Sequence, residues 1–205
     1  MTSERQLPFV AILRGITPDE ILEHARVLVA QRFAAIEVPA NSPDWAVSVR
    51  RLAAAHPDGP DVGAGTVLTV ADVDALAATG AKLMVTPNTD VSVVRHAKAR
   101  GLRALIGAMT PSEALAAVAA GADALKIFPA SVVGPGFARI LRAVLPRPVP
   151  LYAVGGLTPA TLAAYADGSW SGFGLGGELY RPGQSVADTE TKAAAFRRAW
   201  EGLRP

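Results

Sequence analysis

The stretch TPSEALAAVAAGADALKIFPAS, residues 110–131, contains one complete helix–strand unit and shows how the chain is built. Thr110-Pro111-Ser112-Glu113 matches a capping box with proline at the first helical position, which predicts the start of a helix. Gly121 predicts the end of that helix, because glycine readily takes the left-handed conformation that follows a last helical turn. The run ADALKIF, 122–128, then predicts a strand that is apolar on both faces and therefore buried on both sides.

Similar apolar runs recur along the chain, and Ala- and Leu-rich stretches at helical spacing lie between them. We predict strands at 8–13, 34–38, 61–65, 82–86, 103–107, 122–128, 149–154 and 171–176. Helices are predicted at 17–31, 42–56, 69–80, 89–101, 110–121 and 135–145, and a last amphipathic helix at 188–202. Further helix starts are predicted at Thr17-Pro18, Ser42-Pro43 and Thr158-Pro159, and helix ends at Gly80 and Gly101.

Eight strand–helix units in a chain of 205 residues predict an α/β fold of one domain over residues 1–205, a single (β/α)8 TIM barrel. The alternative is a doubly wound open sheet, which also alternates strands with helices. An open sheet of eight parallel strands is less usual, and no G-x-G-x-x-G sequence follows the first strand. We therefore favour the barrel.

Composition narrows the possible functions. Hydrophobic residues make up 50% of the chain, enough for one sizeable core. With 20 basic and 18 acidic residues and no basic block, we expect no nucleic-acid partner. No apolar run approaches the roughly 20 residues that span a bilayer, and the start MTSERQLPFV lacks the long apolar region of a signal peptide. The chain has no cysteine, so it has no thiolate metal site, and we expect a cytoplasmic protein without membrane association.

Polar residues at the carboxyl ends of the predicted strands are the candidates for chemistry, because the strands of a barrel meet at that mouth and active sites lie there. These residues are Arg14 after the first strand, Glu37, Asn41 and Ser42 at the second, Thr66 after the third, Thr86-Pro87-Asn88 after the fourth, Lys126 on the sixth, and the glycine pairs Gly155-Gly156 and Gly176-Gly177 after the last two.

Lys126 stands out because its neighbours in the strand are apolar. Burial of an ammonium group is costly, so such a lysine tends to lose its proton, and a neutral amine can form a Schiff base with a ketone. A lysine that extends its charge to solvent, or pairs with a carboxylate, is the alternative. Glu37 lies in a similar apolar run, so the two residues are either a buried ion pair or a nucleophile with a proton shuttle.

Two glycine pairs indicate phosphate binding. AVGGLTP, 153–159, and GLGGE, 174–178, each place Gly-Gly at a strand end, where backbone N–H groups can approach an anion. Loops after the seventh and eighth strands hold phosphate in many barrels, although glycines can also serve only to make tight turns. Arg14 has a guanidinium suited to a carboxylate or phosphate, and Thr66 could donate a hydroxyl hydrogen bond to the same anion.

Metal chemistry is not indicated by the sequence. His24, His56 and His96 lie in predicted helices, do not cluster, and match no H-E-x-x-H spacing, so we expect no catalytic zinc. Structural or solvated roles are the simpler interpretation for all three.

The motifs AILRGITPDE, IEVPANSP, GAGTVL, VTPN, ALKIFPAS, AVGGLTP and GLGGELYRPGQS follow one another in this order. In this respect the chain resembles the 2-keto-3-deoxy-6-phosphogluconate/6-phosphogalactonate aldolases, from Leu7 to about Trp200. The resemblance implies a class I aldolase, that is, a lyase on a (β/α)8 barrel that needs no metal or other cofactor. It also implies a homotrimer whose small-molecule partners are a phosphorylated sugar acid and pyruvate.

Roles for the candidate residues follow from the resemblance. Lys126 would form the Schiff base, and Glu37 would move protons through bound water. Arg14 and Thr66 would hold the carboxylate of the pyruvate end, and Pro87 would pack against the pyruvyl group. The phosphate would be bound by Gly155, Gly156, Gly176 and Gly177.

The residues after Glu37 bear on the substrate. Gluconate-type members commonly carry an arginine there, as in E-V-T-L-R-T, whereas this chain has Pro39-Ala40-Asn41-Ser42. Before Gly155-Gly156, where gluconate-type members tend to carry threonine, this chain has Val154. Asn41, Ser42 and Val154 therefore favour the galactonate type, with 2-dehydro-3-deoxy-6-phosphogalactonate as substrate. Gly177 departs from the serine often found in that type, which removes a hydroxyl from the phosphate site.

Three alternatives remain on the sequence alone. The first is cleavage of 2-dehydro-3-deoxy-6-phosphogluconate, or of both epimers. The second is an isomerase or epimerase in which Glu37 is the base and Lys126 only an electrostatic group. The third is a barrel that binds a sugar phosphate without catalysis.

Overall fold

Eight parallel strands close into a barrel in chain order, so the chain forms a single (β/α)8 TIM barrel as predicted, and the open-sheet alternative is wrong. The computed structural model describes residues 6–146 and 148–203. The expectation about a signal peptide concerns residues 1–10, and the first five of these lie outside the described residues. The strands are β1 Leu7–Ile12, β2 Phe33–Pro39, β3 Asp61–Gly65, β4 Leu83–Val85, β5 Arg103–Ala108, β6 Ala124–Ile127, β7 Leu151–Val154 and β8 Gly172–Leu175.

Helices connect the strands along most of the chain. They are α1 Ile21–Ala30, α2 Trp45–Ala55, α3 Val70–Ala77, α4 Val91–Ala99, α5 Pro111–Ala120, α6 Ala130–Val133, α7 Phe137–Arg142 and α8 Val186–Glu201, with a 3-10 helix at Leu162–Tyr165. The helix predicted at 135–145 is only the six residues of α7, preceded by the unpredicted turn α6. None of the described helices is long and apolar enough to cross a membrane.

The predicted helix starts are confirmed in part. Thr110 caps α5, and its side chain and that of Glu113 form the full capping box. The prediction at Thr17 is wrong, because the Thr17 hydroxyl donates to the Glu20 carboxylate and α1 begins only at Ile21 without a side-chain cap. Ser42 does not cap α2 either, since its hydroxyl accepts the N–H of Gly15 from the neighbouring loop after β1.

Two apolar layers explain why the strands show no alternation of polar and apolar residues. The larger layer packs the outer face of the barrel against the helices and includes an aromatic group of Phe9, Phe33, Phe173 and Phe196. The smaller layer lies inside the barrel and consists of Val10, Ala35, Leu83, Val85, Leu105 and Ala124. Each strand is thus buried on both faces, as parallel strands covered by helices are.

Candidate active site

Lys126 and Glu37 point into the interior of the barrel. Side chains two residues apart on a strand share a face, and Lys126 follows Ala124 while Glu37 follows Ala35, both members of the inner layer. Both side chains are nearly inaccessible to solvent, with Lys126 5% and Glu37 1% exposed. The structure therefore places a buried amine and a buried carboxylate above the inner apolar layer, and Lys126 does not extend its charge to solvent.

Burial changes the proton affinity of both groups. It lowers the pKa of Lys126, an effect that the negative charge of Glu37 opposes and the positive charge of Arg14 reinforces. Burial also raises the pKa of Glu37, while Lys126 and Arg14 act in the opposite direction. Desolvation is the largest cause in both cases, so the site favours a neutral amine more than water does.

The carboxylate of Glu37 is held by packing rather than by a full set of hydrogen bonds. Its Oε2 is buried without a hydrogen-bond partner among the described residues. A Cβ at residue 65 would lie 1.3 Å from this oxygen, so only glycine at position 65 leaves room for the carboxylate. An unpaired buried oxygen of this kind is costly and is a feature of functional sites.

Arg14 is oriented by two predicted residues. Its Nη1 donates to Oδ1 of Asn41 at 2.5 Å, and its Nη2 donates to Oγ1 of Thr66 at 3.3 Å. Ser42 accepts the N–H of Gly15 at 2.9 Å, so the Asn41-Ser42 pair fixes both the side chain and the loop that carries it. Thr66 takes a left-handed φ of 54°, which is uncommon for a β-branched residue and is typical of strained functional positions.

A cavity of about 400 Å³ opens above Lys126 at the carboxyl ends of the strands. Most of the predicted site residues line it, namely Arg14, Pro87, Lys126, Val154, Gly155, Gly156, Gly176 and Gly177. Glu37, Asn41, Ser42 and Thr66 do not line the cavity. Glu37 interacts electrostatically with Lys126, and the other three contact Arg14 or its neighbour Gly15.

The turn after β4 presents Pro87 to this cavity. The hydroxyl of Thr86 donates to the carbonyl oxygen of Asn88 at 2.6 Å and accepts the N–H of Gly107 at 3.0 Å. These bonds close the turn around Pro87 and fix it to β5. Of the three residues predicted at the end of the fourth strand, Pro87 lines the cavity, and Thr86 holds the turn that positions it.

Glycines line the cavity after β7 and β8, which lie on the other side of the closed barrel from β4 and Pro87. Gly155 and Gly156 have left-handed φ values of 96° and 77°, which L side chains rarely adopt. Gly176 and Gly177 need no such conformation, and a Cβ on either would meet nothing within 4 Å. The four glycines thus line the cavity with backbone alone, and the space beside Gly176 and Gly177 is open, which suits a bulky anion.

Several lining residues were not singled out from the sequence. Phe128 places its ring 5.3 Å from Nζ of Lys126, and Tyr180, Arg181 and Pro182 line the cavity from the segment after β8. Phe128 stands two residues after Lys126, a spacing that could have identified it. The other three lie in the quoted motif GLGGELYRPGQS, but its letters alone do not show that the segment folds back over the mouth.

The histidines do not take part in the cavity. His24 is buried, with its Nδ1 2.9 Å from Oγ1 of Thr189, and His96 contacts Asp74 on α3. His56 follows the last turn of α2. Within residues 6–146 and 148–203, no three His, Asp or Glu side chains come close enough together to hold a metal ion.

Known proteins resemble this chain over nearly its full length. The family model described as KDPG and KHG aldolase matches residues 2–190. The 2-dehydro-3-deoxy-6-phosphogalactonate aldolase of Escherichia coli is 48% identical over 200 residues, which cover 98% of each chain. The solved structure called "Native KDPGal structure" is 47% identical, with a TM-score of 0.93 over 99% of this chain and 98% of the other.

A second solved structure is a designed assembly. It is a cube-shaped protein cage made by fusing symmetric oligomeric domains, and it matches with a TM-score of 0.93 and 48% identity. The match covers 96% of this chain and 73% of the other.

Proposed function

This chain belongs to the KDPG and KHG aldolase family, and we propose that it cleaves 2-dehydro-3-deoxy-6-phosphogalactonate to pyruvate and D-glyceraldehyde 3-phosphate. The proposal depends on the buried amine of Lys126, which lines the cavity and interacts electrostatically with the buried carboxylate of Glu37. A class I aldolase needs a neutral amine and a nearby proton carrier, and it needs no metal.

The reaction begins at Lys126. Its neutral amine attacks the C2 ketone of the substrate, and loss of water with uptake of one proton from solvent gives a protonated imine. The depressed pKa that burial gives Lys126 supports this step, because only the neutral amine has a lone pair to donate. The substrate carboxylate would lie next to Arg14, whose guanidinium is already oriented by Asn41 and Thr66.

Carbon–carbon cleavage then depends on Glu37. Acting through bound water, Glu37 accepts the proton of the C4 hydroxyl as the C3–C4 bond breaks, and the electron pair of that bond moves into the imine to form an enamine. D-Glyceraldehyde 3-phosphate leaves, and Glu37 returns a proton to C3. Hydrolysis of the resulting imine releases pyruvate and restores the amine of Lys126.

The phosphate end of the substrate fits the other end of the cavity. Gly155, Gly156, Gly176 and Gly177 provide backbone groups and space, and no side chain from these positions limits a bulky anion. Pro87 at the opposite end would pack against the pyruvyl part. The substrate would thus extend from Pro87 across Lys126 to the glycine loops.

The choice of epimer rests on Asn41, Ser42 and Val154. Gluconate-type enzymes commonly have an arginine where this chain has Asn41. Here Asn41 accepts a hydrogen bond from Arg14, and Arg14 is left to bind the carboxylate of the substrate. Val154 presents an apolar surface to the cavity next to Gly155. The high identity to the galactonate enzyme of Escherichia coli supports the same choice.

A coupled assay tests this proposal directly. Each epimer, 2-dehydro-3-deoxy-6-phosphogalactonate and the gluconate form, is supplied to the purified protein, and pyruvate is followed through lactate dehydrogenase. We expect a higher kcat/KM for the galactonate epimer. A preference for the gluconate epimer would reverse the substrate assignment, and binding of both without pyruvate release would indicate a sugar-phosphate sensor.

The oligomeric state and the cellular location are proposed from the family. We retain the homotrimer, which is supported by the use of a similar chain in a cage built from symmetric oligomeric domains. Exposed Val132 and Ile140, on α6 and α7, are apolar surface that an interface could cover. A cytoplasmic location is also retained, because the proposed substrates are phosphorylated and do not cross membranes freely. Light scattering after size-exclusion chromatography measures the oligomeric state.

A further inference from the structure

The glycine end of the cavity has no side-chain hydrogen-bond donor from its own glycines. Gly177 has no side chain, so it supplies no hydroxyl to a ligand at this end. A Cβ at residue 177 would meet nothing within 4 Å, which means that no neighbouring atom fills the space. The hydroxyl of Ser131 lies beside Gly156, but it carries no charge, so a cationic side chain next to these glycines would strengthen the binding of a phosphate.

Three cationic residues line the cavity among those that the structure describes: Arg14, Lys126 and Arg181. Arg14 is bound to Asn41 and Thr66 at the other side, and Lys126 is buried at the base. Arg181 alone is beside the glycine loop, where its Nε donates to the carbonyl oxygen of Gly177 at 3.1 Å. Arg181 therefore places a cationic side chain next to Gly177, which has no side chain of its own.

Arg181 is also available to a ligand. Its side chain is 69% exposed, and its nearest charged partner is Glu178, whose carboxylate is 3.7 Å away and itself 52% exposed. An exposed pair at that distance contributes little free energy, so a phosphate dianion could displace it. The bond from Nε to Gly177 leaves the terminal Nη groups of the guanidinium to donate elsewhere.

We propose that Arg181 is a substrate-binding residue whose guanidinium binds the terminal phosphate of the sugar acid beside Gly177, which supplies no hydroxyl. This inference rests on the proposed aldolase function. A planar guanidinium suits phosphate because it can donate two parallel hydrogen bonds to two oxygens. Arg181 would therefore determine how strongly the enzyme prefers phosphorylated over unphosphorylated aldehydes.

The test uses the aldol direction with the full-length protein. Pyruvate is combined with D-glyceraldehyde 3-phosphate or with D-glyceraldehyde, and kcat and KM are measured for the protein and for Arg181→Gln. Glutamine keeps an N–H that can reach the Gly177 carbonyl but lacks the charge. We expect KM for the phosphorylated aldehyde to rise roughly tenfold or more, as loss of a charge-assisted hydrogen bond predicts, and KM for D-glyceraldehyde to stay the same.

Arg26→Gln is a matched control. Arg26 also pairs with a glutamate three residues earlier, Glu23 at 3.5 Å, and its side chain is 68% exposed, but it lies on α1 and does not line the cavity. We expect this variant to keep the KM of the unchanged protein for both aldehydes. Arg181→Lys keeps the positive charge but not the paired N–H donors of the guanidinium. We expect its affinity for the phosphorylated aldehyde to lie between those of the unchanged protein and Arg181→Gln.

Two results would overturn the role of Arg181. An unchanged KM in Arg181→Gln would show that the guanidinium does not bind phosphate. An equal rise for both aldehydes would show that Arg181 only positions the Gly176-Gly177 loop. Failure of the aldolase function itself looks different, because the unchanged protein would then give no aldol product and no borohydride-stable adduct with pyruvate.

Discussion

The carboxylate of Glu37 occupies the space above Gly65 on the neighbouring strand. β2 and β3 pair in parallel, with Glu37 opposite Gly63 and Pro39 opposite Gly65. A Cβ at residue 65 would lie 1.3 Å from Oε2 and 2.3 Å from the carboxyl carbon of Glu37. The absence of a side chain at residue 65 thus sets where the buried acid can lie.

Gly65→Ala should therefore reduce catalysis by displacing Glu37. The added methyl group cannot coexist with the present position of the carboxylate, so the proton carrier would move from the substrate. We expect kcat to fall to a level near that of Glu37→Gln, a loss of about 10²–10⁴-fold if Glu37 is the general acid and base. Steady-state kinetics of both variants give the comparison.

Gly136→Ala serves as the control for this substitution. Gly136 has a helical φ of −72°, and a Cβ there would meet nothing within 4 Å. Its kcat should match that of the unchanged protein. Near-normal turnover in Gly65→Ala would contradict the link between Gly65 and the position of Glu37.

The amine of Lys126 should become reactive at a lower pH than an ordinary lysine. Burial lowers its pKa from the usual 10.5, so the neutral form is populated at lower pH. We expect the initial rate of imine formation with pyruvate, trapped by cyanoborohydride, to rise with pH through a midpoint below 10.5. A midpoint at the ordinary lysine value would contradict the desolvated site.

Two substitutions should move that midpoint in opposite directions. Glu37 raises the pKa of Lys126, so Glu37→Gln should shift the midpoint to lower pH. Arg14 lowers the pKa of Lys126, so Arg14→Met should shift the midpoint to higher pH. The midpoints, and not the maximal rates, are compared, because both residues are also proposed to take part in the reaction.

Asn41 should act through Arg14. Asn41→Ala removes the acceptor of the 2.5 Å hydrogen bond from Nη1, and the guanidinium loses its fixed orientation. We expect KM for pyruvate in the aldol direction to rise roughly fivefold, the size expected for one hydrogen bond, with little change in kcat. In an Arg14→Met background the same change should have no further effect. Additive losses would mean that Asn41 acts independently of Arg14.

The capping box of α5 should contribute to stability and not to activity. The hydroxyl of Thr110 accepts the backbone N–H of Glu113, and the backbone N–H of Thr110 donates to the carboxylate of Glu113. Thr110→Ala should lower the free energy of unfolding by about 1 kcal/mol in a urea titration. Thr191→Ala, on the exposed side of α8 where the hydroxyl bonds only the Ala187 carbonyl, should change it much less. Equal effects would contradict the capping role.

The barrel and the base of its site could be predicted because they depend on local patterns. Apolar runs bounded by capping residues fix eight strands, and alternation along a strand then places Lys126 and Glu37 in one interior. Arg14 and Pro87 could be identified in the same way, since each directly follows a strand predicted from the sequence, at 8–13 and 82–86. The fold can be predicted from the spacing of apolar residues alone, and these residues can be identified from their position within or just after a predicted strand.

Other features depend on contacts between distant segments. Thr17 matches a capping sequence, yet its hydroxyl bonds Glu20 and the helix begins later. The hydroxyl of Ser42 accepts the N–H of Gly15, which is 27 residues away in the chain. Arg181 reaches the cavity only because the segment after β8 folds over the mouth. A local pattern does not encode such pairings, so each required the structure.

Lys126 should form a covalent imine with pyruvate, and borohydride reduction converts that imine into a stable adduct that can be measured. The protein is treated with pyruvate and borohydride, and mass spectrometry measures the adduct and locates it in the digested chain. We expect one reduced pyruvate per chain on Lys126, no adduct in Lys126→Ala, and an unchanged adduct when the exposed Lys82 is replaced by alanine. An adduct that persists in Lys126→Ala, or no adduct in the unchanged protein, would contradict the mechanism.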